Sequence, residues 1–195
     1  MVRALLLISC IAAAGCNGEG GASDAGGTDA APDAADVVCG EPDEFLTLPL
    51  DPSALDGCTW FRGNVHVPDG GGESLLPLRS IRGIDGRLTI FRNHGLPDLR
   101  DLGSLELLGG ELSIESDDSG GLFTSLDGLA SLGVTGGLVL GFNPALADLR
   151  GLSALRAVRG DVRIRTNSAL PAAEVDWLLS RVTVEGEIDV ADNAP

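Results

Sequence analysis

The sequence predicts a mainly β fold, a solenoid of about six coils stacked through a parallel sheet, with one short helix near the C-terminus. Three observations predict it. A five-residue phrase, Gly-x-apolar-x-apolar, recurs six times at an almost even period. An asparagine follows most copies at a fixed offset. Between copies the apolar residues fall at every third position, a spacing that matches neither an α-helix nor a strand.

The copies are GNVHV (63–67), GRLTI (86–90), GELSI (110–114), GGLVL (136–140), GDVRI (160–164) and GEIDV (186–190). Their first glycines lie 23, 24, 26, 24 and 26 residues apart, the kind of period that marks a stacked repeat. Alternation within each phrase puts Val65/Val67, Leu88/Ile90, Leu112/Ile114, Leu138/Leu140, Val162/Ile164 and Ile188/Val190 on one side, so each phrase is a short strand with one buried face. Strands repeating in one direction, each followed by a long connection, pair as parallel neighbours. Three residues past the last apolar position stand Asn93, Asn143, Asn167 and Asn193, with Gly70 and Asp117 in the other two copies. A buried asparagine can bond the backbone groups that a turn leaves unpaired, so these four are expected to stack as a ladder at one corner.

Two connections carry Leu96, Leu99, Leu102, Leu105, Leu108 and Leu146, Leu149, Leu152, Leu155, Val158. Period three suits extended or 3₁₀-like turns that drop one side chain inward at each corner. The last connection differs: PAAEVDWLLSRV opens with Pro171 and spaces Val175, Leu178, Leu179 and Val182 as a helix does, which predicts a short helix with Trp177 packed against the body.

Ahead of the repeats, MVRALLLISCIAAAGC has a positive start at Arg3, an apolar run from Ala4 to Ala14 and small residues before Cys16. This is the layout of a secretory signal over residues 1–15, and its apolar run is shorter than the ~20 residues of a spanning helix. Ala13-Ala14-Gly15-Cys16 resembles the lipobox of bacterial lipoproteins, which implies cleavage before Cys16 and acylation of that residue. Leu7-Ile8-Ser9-Cys10 fits the same pattern but leaves too short an apolar run ahead of it; the other alternative is ordinary cleavage with Cys16 a plain thiol. Several acyl chains anchor stably where a single chain does not. Asn17 after the cysteine, by resemblance to sorting in Gram-negative envelopes, points to the outer membrane, at the cell surface or on the periplasmic face.

Residues 16–37 form an acidic tether and residues 38–195 the folded domain. The tether is Gly, Ala, Asp and Ser with one Pro and no larger apolar residue until Val37, too little to bury a core, so it is expected to be disordered. From Asn17 to Asp56 there are ten acids and no base. As a flexible coil the segment spans on the order of 25 Å, enough to lift a domain off a lipid surface. The whole chain holds 13 basic residues, all arginine, against 29 acids, for a net charge of −16; phosphate binding needs a concentrated basic surface, so nucleic acid is excluded as a partner.

With Cys16 assigned to lipid, Cys39 and Cys58 are a single pair in an exported chain, and a disulfide is expected. The rival is a metal site, for which two cysteines without nearby histidines supply half a tetrahedral set. His66 and His94 stand in different repeats with no ligand partner.

The pattern N-x-x-L-x-x-L-x-x-L-x-x-L-x-x-G-x-L-x-I-x-x-N, seen as NHGLPDLRDLGSLELLGGELSI and NPALADLRGLSALRAVRGDVRI, resembles the receptor L domain of insulin and epidermal growth factor receptors. The resemblance covers roughly residues 58 to 195 and implies a right-handed parallel β-helix, related to leucine-rich repeats, that binds ligands through its sheet. No cysteine-rich module or kinase accompanies it here, so receptor signalling is not implied; bacterial surface lipoproteins that use such a solenoid alone are the better comparison.

The outward positions of the strands are then the candidate ligand face. One column is Asn64, Arg87, Glu111, Gly137, Asp161, Glu187; the next is His66, Thr89, Ser113, Val139, Arg163, Asp189; Phe91, Glu115 and Arg165 stand near the turn. From these, His66, Arg87, Thr89, Phe91, Glu111, Arg163 and Arg165 are the candidate contacts, against the alternative of a merely solvated face. Arg87 with Glu111, and Arg163 with Asp189, are expected to pair across strands. Phe91, Phe123 and Phe142 are apolar anchors or core plugs. Aromatic scarcity argues against a high-affinity hot spot, which favours Trp, Tyr and Arg. Asp117 and Asp118 could hold calcium weakly, as in parallel β-helices that cleave acidic polysaccharides, but a loop insertion explains ESDDSGG. No Ser/His/Asp set, zinc motif or nucleotide loop is present, so neither catalysis nor a cofactor is expected. The function expected is a non-catalytic, lipid-anchored recognition module for a protein or glycan at the envelope; the alternative is a structural or self-associating lipoprotein.

Overall fold

The computed structural model describes residues 31–48, 51, 53–69, 74–92, 96, 98–116 and 124–195. Among the described residues the fold is mainly β: twelve strands in one sheet, and one helix. In chain order the strands are β1 (Val38–Cys39), β2 (Phe45–Thr47), β3 (Trp60–Phe61), β4 (Asn64–Val67), β5 (Gly83–Ile84), β6 (Leu88–Phe91), β7 (Leu107–Glu115), β8 (Val134–Gly141), β9 (Ala157–Val158), β10 (Val162–Arg165), β11 (Thr183–Val184) and β12 (Ile188–Ala191).

Every pairing between these strands is parallel, and each links a segment to its counterpart one repeat later. The sheet has two arms. A long arm runs β2-β4-β6-β7-β8-β10-β12, and a short arm runs β1-β3-β5-β7-β8-β9-β11. The nine residues of β7 and the eight of β8 pass through both arms and join them. The six phrases of the sequence all lie on the long arm, from β4 to β12.

Register turns the apolar alternation into continuous rows. Leu46, Val65, Leu88, Leu112, Leu138, Val162 and Ile188 are successive partners, as are Val67, Ile90, Ile114, Leu140, Ile164 and Val190. All are buried except Ile188 and Val190 on the last strand. Opposite them, 3₁₀ turns occur at Leu76–Leu78, Arg100–Leu102, Asp127–Leu129 and Arg150–Leu152, where the period-three spacing places them. Their leucines stack as Leu75/Leu99/Leu126/Leu149 and Leu78/Leu102/Leu129/Leu152, all buried. Each fully buried leucine is worth about 1.5–3 kcal/mol of transfer from water, which makes this leucine core the main source of cohesion.

In the last connection α1 (Ala172–Leu179) replaces the 3₁₀ turn. Pro171, extended at φ −66°, immediately precedes it, and Val175 and Leu178 are buried. At the opposite end, β1 and β2 add a partial repeat before the first glycine phrase, tied down by the Cys39–Cys58 disulfide. The final residues of the acidic segment dock there: Thr59 Oγ1 donates to Asp36 Oδ1 at 2.8 Å, and the Val37 amide donates to Thr59 Oγ1 at 2.9 Å.

Candidate recognition face

Side chains alternate along a strand, so the positions between the buried rows point outward. On the long arm, Thr47, His66, Thr89, Ser113, Val139, Arg163 and Asp189 are register partners across seven adjacent strands. Beside them run Phe45, Asn64, Arg87, Glu111, Gly137, Asp161 and Glu187. The backbone links in this row are partly made by side chains: Asn64 Oδ1 accepts from the Arg87 amide and Asp161 Oδ1 from the Glu187 amide, each at 3.0 Å.

The face divides into three zones. At the β2–β4–β6 end, Phe45, Thr47, Asn64, Val65, His66, Arg87 and Thr89 line a cleft of about 330 Å³. This brings His66, Arg87 and Thr89 together and adds Phe45, a residue 69% exposed. In the middle the relief is low: Gly137 and Gly141 are buried, and Ser113, 4% exposed, donates to Glu115 Oε1 at 2.8 Å. At the β10–β12 end, Arg163 pairs with Asp161 at 2.9 Å and Arg165 with Asp189 at 2.5 Å. Accepting from its guanidinium, Asp189 pushes the already high pKa of Arg165 further up.

The expected cross-strand pairs are therefore corrected. Arg163 is the register partner of Asp189, but it turns to Asp161 on its own strand, two residues away on the same side, while Arg165 reaches diagonally to Asp189. No ion pair joins Arg87 to Glu111 among the described residues. Register sets which Cα atoms are adjacent; long side chains also reach diagonal neighbours. Such half-exposed pairs contribute little stability, typically about 0–1 kcal/mol. Phe91 is 37% exposed with the Arg92 guanidinium 5.1 Å from its ring centre, and Phe142 is 45% exposed, so both point outward and neither fills the core. Cys16, Asn93, His94, Asp117, Asp118 and Phe123 lie outside the described residues.

At the corners following β8, β10 and β12, Asn143, Asn167 and Asn193 form a hydrogen-bonded ladder. Asn167 Oδ1 accepts from the Asn143 amide at 3.1 Å and from its Nδ2 at 3.2 Å; Asn193 Oδ1 accepts from the Asn167 amide at 3.1 Å and from its Nδ2 at 3.0 Å. Their Nδ2 groups also donate to Ile114 O, Leu140 O and Ile164 O at 2.9, 3.0 and 2.8 Å. The residue before each asparagine is left-handed: Arg92, Phe142, Thr166 and Asp192 have φ of 51°, 56°, 58° and 58°. Among the described residues, Asn143 Oδ1 and Ser116 Oγ are buried without a partner.

A second cluster sits on α1. The Trp177 ring lies between the guanidinium carbons of Arg150 and Arg181, 4.2 and 4.7 Å from its centre. Arg150 also holds Glu174, with an Nη2–Oε1 distance of 3.0 Å, and these hydrogen bonds keep the Glu174 carboxyl below its ordinary value against the opposing effect of burial. The cluster fastens the helix to the Arg150–Leu152 turn.

Among the described residues no group of three or more His, Cys, Asp and Glu could hold a metal ion, and no helix is long and apolar enough to cross a membrane. Among the described residues His66 has hydroxyls near it but no carboxylate to orient it. What the face offers chemically is contact: hydroxyls, an imidazole, an amide, a guanidinium and an open ring. The chain matches no family model, no curated protein and no solved structure.

Proposed function

We propose that the protein is a non-catalytic recognition module, lipid-anchored at a bacterial envelope through Cys16, that contacts a protein or glycan through the outward face of the long arm. The observation that carries this reading is the contrast between the two sides of the same strands. Val65, Leu88, Leu112 and Leu138 are at most 1% exposed, whereas the alternate positions present His66, Arg87, Thr89, Arg163 and Arg165 in register. We further read the repeats as coils of a right-handed β-solenoid of the receptor L domain kind, held off an outer membrane by the acidic tether; the period, the parallel register and the asparagine ladder support that reading.

The experiment uses the full chain, expressed and lipidated in a Gram-negative host. Combining Arg87→Glu and Arg163→Glu should abolish retention of a binding partner at the cell surface while the fold persists by circular dichroism; unchanged retention rejects the face. Cys16→Ser should release the protein from membranes, and persistent membrane association would rule out the anchor.

A second reading, self-association within the envelope, is favoured by one observation. Among the described residues β12 pairs on one side only, and its inward residues Ile188 and Val190 are 53% and 42% exposed. Unpaired edges invite added strands. Concentration-dependent sedimentation of the detergent-solubilised chain supports this reading; a monomer at all concentrations removes it.

A further inference from the structure

We propose that the cleft between β2, β4 and β6 binds a carboxylated saccharide, Arg87 taking the carboxylate and the Phe45 ring covering the apolar face of a sugar. This rests on the reading of the sheet face as a recognition surface and narrows it to one end and one ligand class.

The first ground is the state of Arg87. Of the three arginines on this face, Arg163 and Arg165 are each tied to an aspartate, while Arg87 has no carboxylate partner among the described residues, in a chain with 29 acids and 13 bases. A guanidinium with its fork free is the side chain best matched to a planar carboxylate, which it takes through two parallel hydrogen bonds.

Phe45 supplies the second ground. At 69% it is the most exposed large hydrophobic residue described, and it lines the same cleft as Arg87. Leaving an aromatic ring in water forgoes the gain from burying it. A pyranose offers a patch of C–H bonds on one face that can cover such a ring while its hydroxyls stay hydrated.

Between the two lie groups that both donate and accept, as a polyol requires. Thr47 and Thr89 bring hydroxyls, His66 its ring nitrogens, and Asn64, whose Oδ1 already accepts from the Arg87 amide, keeps its Nδ2 as a donor. Phe45 and Arg87 are two strands apart, about 9–10 Å, the reach of a disaccharide. The volume of about 330 Å³ is at the small end of ligand sites and suits one or two sugar rings. A net charge of −16 repels a dense polyanion at a distance, which favours a sugar with isolated carboxylates over a sulfated or phosphorylated polymer.

The test is calorimetric titration of the full chain in detergent micelles with digalacturonate, its methyl ester, and neutral digalactose. Digalacturonate should bind about tenfold or more tightly than its ester, the difference made by one charge-assisted pair. Arg87→Gln should erase that preference, Phe45→Ala should weaken acid and ester alike, and Arg79→Gln, at the exposed end of the Leu76–Leu78 turn, should change neither. Equal binding of acid and ester, no binding of digalacturonate, or full retention of the preference by Arg87→Gln would overturn the proposal. If digalacturonate fails while the double Glu variant still abolishes cell-surface retention, the ligand class is wrong and the face stands. If both fail, the face falls with it.

Discussion

Replacing Asn167 with alanine tests the ladder at its most buried rung. Asn167 is fully buried, and its side chain serves five groups: it accepts from the amide and the Nδ2 of Asn143 and donates to Leu140 O, to Arg165 O and to Asn193 Oδ1. Asn143 Nδ2 keeps its bond to Ile114 O, Asn193 Oδ1 keeps the Asn167 amide, and Leu140 O stays within the β8–β10 ladder, so the alanine variant orphans chiefly the Asn143 amide. A buried orphan costs about 1–3 kcal/mol, so the loss should be about 1–3 kcal/mol, a sizeable part of the ~5–15 kcal/mol that a domain has in total. Asn193→Ala is the matched control. It removes the same kind of bonds, to the Asn167 amide and Ile164 O, but from a half-buried position where water can replace them, so it should cost about 1 kcal/mol or less. Urea unfolding followed by tryptophan fluorescence measures both, with Trp60 in β3 and Trp177 in α1 reporting from opposite ends of the repeats. If Asn167→Ala lies within about 0.5 kcal/mol of wild type, the range of an ordinary surface change, the ladder does not carry the corner.

Three further outcomes follow from particular contacts. Gly110→Ala places a Cβ 2.6 Å from Gly86 C and 2.7 Å from Arg87 N, backbone that cannot turn aside, so it should lower stability by about 1–3 kcal/mol in the same unfolding assay. Thr166→Gly should raise it by about 0.5–1 kcal/mol, because relief of a β-branched left-handed residue, about 1–2 kcal/mol, exceeds the ~0.5–1 kcal/mol entropic cost of glycine. The lowered pKa of Glu174 means that its pair with Arg150 stabilises fully above the ordinary glutamate range, and that this stability is lost as pH falls through the folded-state value. Glu174→Gln should therefore be less stable than wild type at neutral pH and approach it in acid; a difference constant with pH would refute the coupling.

The long-arm strands were legible because each announces itself twice, by a glycine and by alternation. The glycine has a steric cause: at Gly110 and Gly160 a side chain would press on the backbone of the previous repeat, in the latter case 2.5 Å from Gly136 O. The asparagine was legible because the corner leaves amide and carbonyl groups that a carboxamide can pair at once. The short arm was not legible, since strands of two residues such as Gly83–Ile84 or Ala157–Val158 have no room to show alternation. Nor was β2: Phe45-Leu46-Thr47-Leu48 alternates, with Leu46 and Leu48 buried, but Glu44 stands where the phrase has glycine and the distance to the next copy is shorter than the period.

That missed strand is what changes the candidate site. Outward orientation at His66, Arg87 and Thr89 follows from alternation alone, yet a sheet ending at β4 would leave them on an edge strand and its neighbour with no wall. β2 pairs with β4 through Phe45↔Asn64 and Thr47↔His66 and sets an exposed ring beside them, turning the end of a flat face into a cleft. At the other end, the expected pairing partners of Arg163 exchange because a guanidinium reaches a carboxylate on its own strand as readily as one across the ladder. The charges that looked alike in sequence thus fall into two kinds, arginines held by aspartates and one, Arg87, with no carboxylate partner among the described residues. Specificity for an anionic ligand belongs with Arg87, because a partnered guanidinium must first surrender its aspartate.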